Sequence, residues 1–241
     1  MKKIFYTVLL FAGTLFTTSC LDDLNQYPHT ETTSADVYTS AANYKAVLGK
    51  LYVSFVIAGQ EKGGGDKDLD SNFGYDYMRC YFNMQECGTD ELVYTWLGGE
   101  KMSGLTYLSW DANDAWVSDT YYRIYYTIAL CNEFLRNATD GQIEKFSEGE
   151  QAEIRHYRAE ARFLRALIYF HLLDYFGGLP IYDETTDLEK EFNNLLKPRS
   201  SAEETRAFIL ADLEKALGAG LPDQWNDANY GRVTLSAAQA L

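Results

Sequence analysis

The sequence is short of proline, histidine, cysteine and basic residues. It has 4 prolines, 3 histidines and 4 cysteines in 241 residues, and 21 basic residues against 35 acidic ones. So few cysteines exclude a small scaffold held by disulfides, and a composition that is 46% hydrophobic and 23% charged is that of a globular protein. The formal net charge of −14 has the wrong sign for wrapping a phosphate backbone, so we expect no nucleic-acid partner.

The sequence also lacks an apolar run long enough to cross a bilayer, which takes about 20 residues. The run over residues 4–16 is 13 residues long and follows Lys2 and Lys3, a pattern typical of a secretory signal. The small residues 17–19 lead into Cys20, as at a bacterial lipoprotein processing site, where the cysteine thiol is acylated. An ordinary cleaved signal with an incidental cysteine is the alternative.

We therefore expect a lipoprotein signal peptide over residues 1–19 and a lipidated tether over residues 20–34, with an acyl chain such as palmitate on Cys20. So acidic a surface is repelled by anionic lipid, so the acyl chains must supply the attachment. Asp22 and Asp23 resemble the tag that sends some Gram-negative lipoproteins to the outer face of the outer membrane, although they can also be solvated charge in a tether.

Three cysteines remain after lipidation, which is an odd number for an exported protein. Cys80 and Cys87 are close enough in sequence to form a disulfide, but nothing in the sequence requires one. Cys131 lies at an apolar position of a helical pattern, which predicts a buried small side chain.

Helical periodicity dominates the second half of the chain. It predicts helices over residues 114–136, 148–176, 201–217 and 235–241; the first half is predicted to hold a helix over residues 35–56 and an irregular aromatic region over residues 73–111. Gly177, Gly178 and Pro180 end the helix over 148–176, and Ser201 with Glu204 forms a capping box at the next.

The helix over residues 148–176 carries two apolar stripes, which predicts that it is sandwiched between neighbours. The stripes are Ile154, Tyr157, Ala161, Leu164 and Ile168, and Ala159, Phe163, Ala166, Phe170 and Leu173. Between them runs a row of arginines, Arg155, Arg158, Arg162 and Arg165. In so acidic a protein we expect these arginines to pair with surrounding acids rather than with phosphate.

Helix pairs joined by short turns favour a helical repeat stack. The spacing of a small, an aromatic and a small residue at Ala159, Phe163 and Ala166 partly matches the second helix of a tetratricopeptide repeat. The predicted fold class is mostly all-α, with tetratricopeptide-like helix pairs and long, irregular, aromatic-rich loops.

Four segments, in this order and spacing, resemble the SusD/RagB family of outer-membrane nutrient-binding lipoproteins. They are WVSDTYYRIYYTIALCNEFL from Trp116, AEARFLRALIYFHLLDYFGGLP from Ala159, KPRSSAEETRAFILADLEKAL from Lys197 and NYGRVTLSAAQAL from Asn229. The resemblance covers essentially the whole mature chain. It implies a SusD-like helical-repeat domain over residues 35–241, expected to be the N-terminal portion of a longer domain truncated at its C-terminus.

The resemblance also implies a function. Members of the family are lipid-anchored at the cell surface, capture a glycan or another nutrient, and deliver it to a TonB-dependent transporter barrel of the SusC type without cleaving it. We therefore expect an oligosaccharide or polysaccharide ligand and a SusC-type partner. A helical-repeat scaffold that binds protein and no saccharide is the alternative, because such repeats present concave surfaces to peptides.

Saccharide recognition needs aromatic faces for the C–H faces of sugars and polar side chains for their hydroxyls. Residues 90–110 are rich in such rings, Tyr107 among them, and we expect Trp96 to bind the ligand, with Tyr94 and Trp110 in support. Each ring can instead pack the loops onto the helices. Trp116 begins a helical face and is predicted to lie in the core.

Sites for other chemistry are weakly supported by the sequence. Asp66, Asp68 and Asp70 alternate like the start of a calcium loop, but Ser71 replaces the turn glycine and Tyr77 the bidentate glutamate. The three histidines have no zinc-ligand spacing, and no motif places a nucleophile beside a base. We expect no metal, no cofactor and no catalytic residue; a glycoside hydrolase is the competing enzyme class.

Overall fold

A computed structural model describes residues 34–57, 76–99, 101–186 and 197–241. The expected signal peptide, the tether up to residue 33 with Cys20, and the segment with Asp66, Asp68 and Asp70 lie outside these ranges. Within them all regular structure is helical. None of the helices described is both long and apolar enough to cross a membrane.

The helices are numbered here in chain order. They are α1 Ser34–Val37, α2 Ala41–Val53, α3 Tyr77–Glu86, α4 Ser103–Thr106, α5 Ala115–Asn137, α6 Asp140–Ile143, α7 Glu148–Phe176, α8 Ala202–Leu217 and α9 Leu235–Ala240, with a 3₁₀ turn at Asp227–Asn229. Residues Val37–Leu241 form one compact unit, to which the following description refers. The expected all-α fold with tetratricopeptide-like helix pairs is confirmed.

The helices of the second half follow the predicted periodicity. α7 has the predicted bounds, α5 differs from the prediction by one residue at each end, and α8 and α9 differ by one residue at one end. The capping box of α8 is present, since Ser201 Oγ accepts from the Glu204 N–H (3.1 Å) and Glu204 Oε2 accepts from the Ser201 N–H (2.7 Å). Gly177 ends α7 with φ +72°, a left-handed conformation that favours glycine.

The first half departs from the prediction in two places. The helix expected over residues 35–56 is broken, because Ser40 is extended (φ −156°, ψ 158°) and its side chain caps α2 by accepting from the Asn43 N–H. The region expected to be irregular contains α3, whose N-terminus is capped by Asp76 through the Arg79 N–H (2.8 Å).

α7 is the centre of the fold and contacts α2, α5, α6 and α8. Members of both predicted stripes are fully enclosed, including Ala159, Ala161, Ala166 and Ile168, each at most 1% exposed, so the predicted sandwich is confirmed. Phe170 is the exception in its stripe, with 44% of its surface exposed.

Charged side chains of α7 point into this core, where they are paired. Arg165 is 1% exposed and holds Asp212 of α8 through two bonds, Nε to Oδ2 (2.6 Å) and Nη2 to Oδ1 (2.8 Å). Its Nη1 also donates to Glu184 Oε2 (2.6 Å). Burial works to raise the pKa of Glu184, but Arg165 and Arg162 outweigh it and lower that pKa to about 2, so Glu184 is ionised at neutral pH.

The arginine row was expected to pair with acids, and this is confirmed for three of its members. Arg162 reaches Asp212 Oδ1 (2.8 Å) and Glu184 Oε1 (3.0 Å), and Arg158 reaches Asp140 Oδ1 (2.7 Å). Arg155 is different, because its Nη2 donates to the neutral amide of Gln151 (3.1 Å).

A second buried ion pair joins α7 to residues 218–241, which we call the C-terminal segment. The Glu160 carboxylate is fully buried; it pairs with the Arg232 guanidinium and accepts from the Tyr52 hydroxyl of α2 (2.5 Å). The guanidinium lies 3.9 Å from the centroid of the Trp225 ring. The Val233 N–H in turn donates to Tyr52 Oη (2.9 Å), so α2, α7 and the C-terminal segment share one network.

Removing Asp212 tests how far the fold depends on this pairing. We expect Asp212→Ala to lower the free energy of unfolding by about 3–5 kcal/mol, because buried Arg165 loses the carboxylate that accepts two of its hydrogen bonds and Arg162 loses one of its two carboxylate partners. Asp140→Ala is the control; its side chain is 74% exposed, so losing the pair with Arg158 should cost less than about 1 kcal/mol. Urea denaturation measures both, and equal losses would contradict the expectation.

Candidate functional site

A second, smaller hydrophobic core lies apart from the one around α7. It consists of Cys80, Cys87, Met102, Leu105, Ala115 and Trp116, from α3 and the turn after it, α4 with the residue before it, and the start of α5. Trp116 has no exposed surface, so its predicted place in a core is confirmed. The Arg79 guanidinium lies 5.2 Å from the centroid of the Trp116 ring.

The segment around this second core turns large apolar side chains towards solvent. Their exposed fractions are 83% for Val93, 72% for Trp96, 66% for Tyr107, 64% for Leu108 and 50% for Trp110, and we call these five residues the aromatic loop surface. Large exposed side chains in one stretch of chain commonly mark a binding surface. The hydroxyls of Thr95 and Ser109 and the carboxylate of Asp111, all on exposed residues, accompany them.

The three side chains predicted to bind a ligand fall into two groups. Tyr94 is partly buried against the second core, which is the packing alternative stated above. Trp96 is exposed over most of its surface and Trp110 over half of it. A Cβ atom added at Gly88 would lie 3.9 Å from Trp110 Cζ3, so the turn after α3 lies beside the Trp110 ring. The ligand-binding role of all three stays a prediction.

Leu108 has a backbone conformation that leucine rarely adopts. Its φ is +53°, and it follows α4 where a glycine is usual. The Leu108 N–H donates to the Leu105 carbonyl (3.2 Å) and the Ser109 N–H to the Gly104 carbonyl (2.8 Å), the two bonds of a Schellman motif. The turn therefore holds Leu108 in a costly geometry between two exposed rings, Tyr107 and Trp110. Sequence analysis did not identify this residue.

The three cysteine thiols that the structure describes are unsuited to nucleophilic chemistry. Cys80, Cys87 and Cys131 are all free and buried, so the disulfide left open for Cys80 and Cys87 is absent. Burial raises the pKa of Cys80 and of Cys131 to about 12 each, which keeps both thiols protonated. Cys131 is fully enclosed, as predicted.

Metal ligands are not clustered in the part of the chain that the structure describes. No group of three or more histidine, cysteine or acidic side chains there could hold an ion. The expected weak calcium loop at Asp66, Asp68 and Asp70 lies outside that part. What the aromatic loop surface offers chemically is contact by ring faces and exposed hydroxyls.

Comparison with known proteins identifies the family. The family model described as starch-binding, associating with outer membrane, matches residues 30–241. This chain belongs to the SusD-like family. The resemblance inferred from its segments is thereby confirmed.

Relatives and solved structures agree with this membership. The starch-binding protein SusD of Bacteroides thetaiotaomicron is 29% identical over 217 residues, 89% of this chain and 36% of that protein. A SusD-like protein of Bacteroides fragilis has a structure with a TM-score of 0.63 and 25% identity, covering 89% of this chain and 36% of that one. A SusD homologue of B. thetaiotaomicron has a TM-score of 0.66 at 23% identity, covering 86% of this chain and 36% of that one.

The chain spans about a third of the length of these relatives. The family is associated with the outer membrane and with starch binding. The aromatic loop surface lies within the matched residues.

The strained turn at Leu108 can be tested by comparing two truncations. We expect Leu108→Gly to be more stable than Leu108→Ala by about 1 kcal/mol, because glycine adopts a positive φ without steric cost. The control is Ala211, an exposed residue within α8, where Ala211→Gly should instead be destabilised by about 1 kcal/mol. Thermal unfolding measures all three; a Leu108→Gly protein no more stable than Leu108→Ala would contradict the strain.

Proposed function

We propose that this SusD-like chain binds a glycan at the aromatic loop surface and does not cleave it. Trp96 makes the principal contact, Trp110 a second one, and Tyr94 supports the loop from the side of the second core. The observation that carries the proposal is the 72% exposure of Trp96, a large ring facing solvent in a segment fixed beneath by a packed core.

The chemistry of the surface suits a saccharide. An exposed indole offers an apolar face to the C–H face of a sugar ring, and exposed hydroxyls and carboxylates can bond to sugar hydroxyls. The family description and the SusD relative both name starch, and a structural neighbour of 20% identity is a laminarin-binding SusD-like protein. Starch and laminarin are therefore the first polysaccharides to test.

The proposed function includes a location at the outer membrane and a transporter as partner. The signal over residues 1–19 is removed, Cys20 is acylated, and the protein is held at the outer face of the outer membrane, from which it delivers the glycan to a SusC-type TonB-dependent transporter. The sequence around Cys20 and the outer-membrane association of the family support this.

Retention by polysaccharide in native gels tests the site. We expect the protein to be retarded by starch or laminarin, and Trp96→Ala to weaken the apparent affinity about tenfold, the effect of losing about 1.4 kcal/mol of ring contact. Tyr230→Ala is the matched control, because Tyr230 is an aromatic residue 90% exposed outside the aromatic loop surface. Equal retention of Trp96→Ala and the unaltered protein would remove Trp96 from the site.

The same preparations separate the competing functions. Release of reducing ends over time would establish a glycoside hydrolase instead of a binding protein. Failure to retain any polysaccharide, together with co-purification of a partner protein, would favour a helical-repeat scaffold.

Native protein extracted from the outer membrane tests the anchor and the partner. We expect an intact mass that includes acyl chains on Cys20, because the thiol is the acylation site, and a co-isolated transporter barrel. Cys20→Ser is the control and should be lost from the membrane fraction. An unmodified mass for the membrane-bound protein would overturn the lipid anchor.

A further inference from the structure

A cleft with a cavity volume of about 530 Å³ opens between α7, α8 and α6. Four of its lining side chains are basic and one is acidic: Arg155, Arg158, Arg162, Lys215 and Asp140. Ala159, Gly218 and Ala219 complete the lining, and these small residues leave the space open. We call it the basic cleft.

The arginines line the basic cleft because of their spacing on α7. Arg155, Arg158 and Arg162 are separated by three and four residues, so they lie one above another on a single helix face. Lys215 comes from the last turn of α8, the helix that packs against α7.

Two of the arginines in the basic cleft, Arg162 and Arg158, form ion pairs with carboxylates of this chain. Arg162 is fixed by Asp212 and Glu184, and these two carboxylates also pair with Arg165 behind it. Arg158 is fixed by Asp140 and by the Ala138 carbonyl (3.1 Å), but the Asp140 side chain is 74% exposed and so screens the charge only weakly.

The other two cations, Arg155 and Lys215, form no ion pair with an acidic side chain among the residues described. Arg155 donates to the neutral Gln151 amide. The lining thus holds four basic side chains and one acidic one, and because Asp212 and Glu184 behind it offset the charge of Arg162, the excess positive charge lies at Arg155 and Lys215. A concave surface of this sign attracts anions.

We propose that the basic cleft binds the oxyanion group of a small ligand, a carboxylate, sulfate or phosphate. Its volume lies in the range of about 300–1,000 Å³ typical of pockets for small molecules, and its concave shape does not suit a flat protein surface. Arg155 and Lys215 contact the anion, while Arg162 and Arg158, already oriented by their partners, form the wall behind it. This site does not depend on the aromatic loop surface.

Isothermal titration calorimetry at low ionic strength tests the basic cleft with sodium sulfate and sodium phosphate. We expect saturable binding, weakened about fivefold by Arg155→Gln or Lys215→Gln and about twentyfold by the double variant, because each removes a charge-assisted hydrogen bond. Arg155→Lys keeps the charge and should retain most of the affinity.

Arg206→Gln is the matched control for loss of charge. Arg206 is exposed on α8 nine residues before Lys215, half a turn away around the helix, so it lies on the opposite face. Binding should be unchanged in this variant and in Trp96→Ala, which keeps the outcome separate from that of the proposed glycan site. Helix content and thermal unfolding confirm that each variant is folded.

The source of the anion is distinguished with trigalacturonate and the matching uncharged trisaccharide. Binding of trigalacturonate, but not of the uncharged sugar, with loss in the double variant, assigns the site to acidic saccharides. Binding of sulfate or phosphate without trigalacturonate assigns it to free inorganic oxyanions. Absence of saturable binding by all three anions, or equal weakening in Arg206→Gln, would overturn the proposal.

Discussion

The burial of α7 on two faces is the constraint on which the rest of the structure depends. A helix enclosed in this way cannot leave a charge unpartnered, because an unpaired ion in the interior costs several kcal/mol. Arg165 therefore requires Asp212 of α8, and Glu160 requires Arg232 of the C-terminal segment. Such pairs add little net stability over apolar side chains of the same size, but they determine which face of each neighbour can pack against α7.

The aromatic loop surface is supported by apolar packing rather than by buried ion pairs. Its exposed rings lie in loops, and their support is the second core, which draws side chains from α3, α4 and the start of α5. The main core reaches this region through the packing of α3 against α5. The loop that carries Trp96 is held here because Leu92, Tyr94 and Leu97 pack against the second core, in which Trp116 is fully enclosed.

Sequence patterns predicted the features that depend on neighbours along the chain. α5, α7 and α8 follow from periodicity and caps, and Trp116 was placed in the core because it begins a helical face. α3 was missed, although Asp76 and the spacing of Tyr77, Cys80 and Met84 could have indicated it.

Features that depend on residues distant in sequence could not be predicted. Asp212 and Glu184, the carboxylate partners of Arg165, are 47 and 19 positions away from it. The exposure of Trp96 and the left-handed turn at Leu108 depend on how loops pack on the second core. The arginine row shows both cases. Its pairing was expected from composition, whereas the division into paired and uncompensated members follows only from the positions of Asp212, Glu184 and Asp140.

The reactivity of the free cysteines can report on local opening of the two hydrophobic cores. Cys80 and Cys87 belong to the second core and Cys131 to the core around α7, and all three are enclosed and unbridged. A thiol reagent in solution can reach each of them only when the surrounding core opens, so the rate of labelling at each position measures the opening of one core separately from the other. The loops that carry Trp96 and the helices that carry the basic cleft can thus be followed independently in a single unaltered protein.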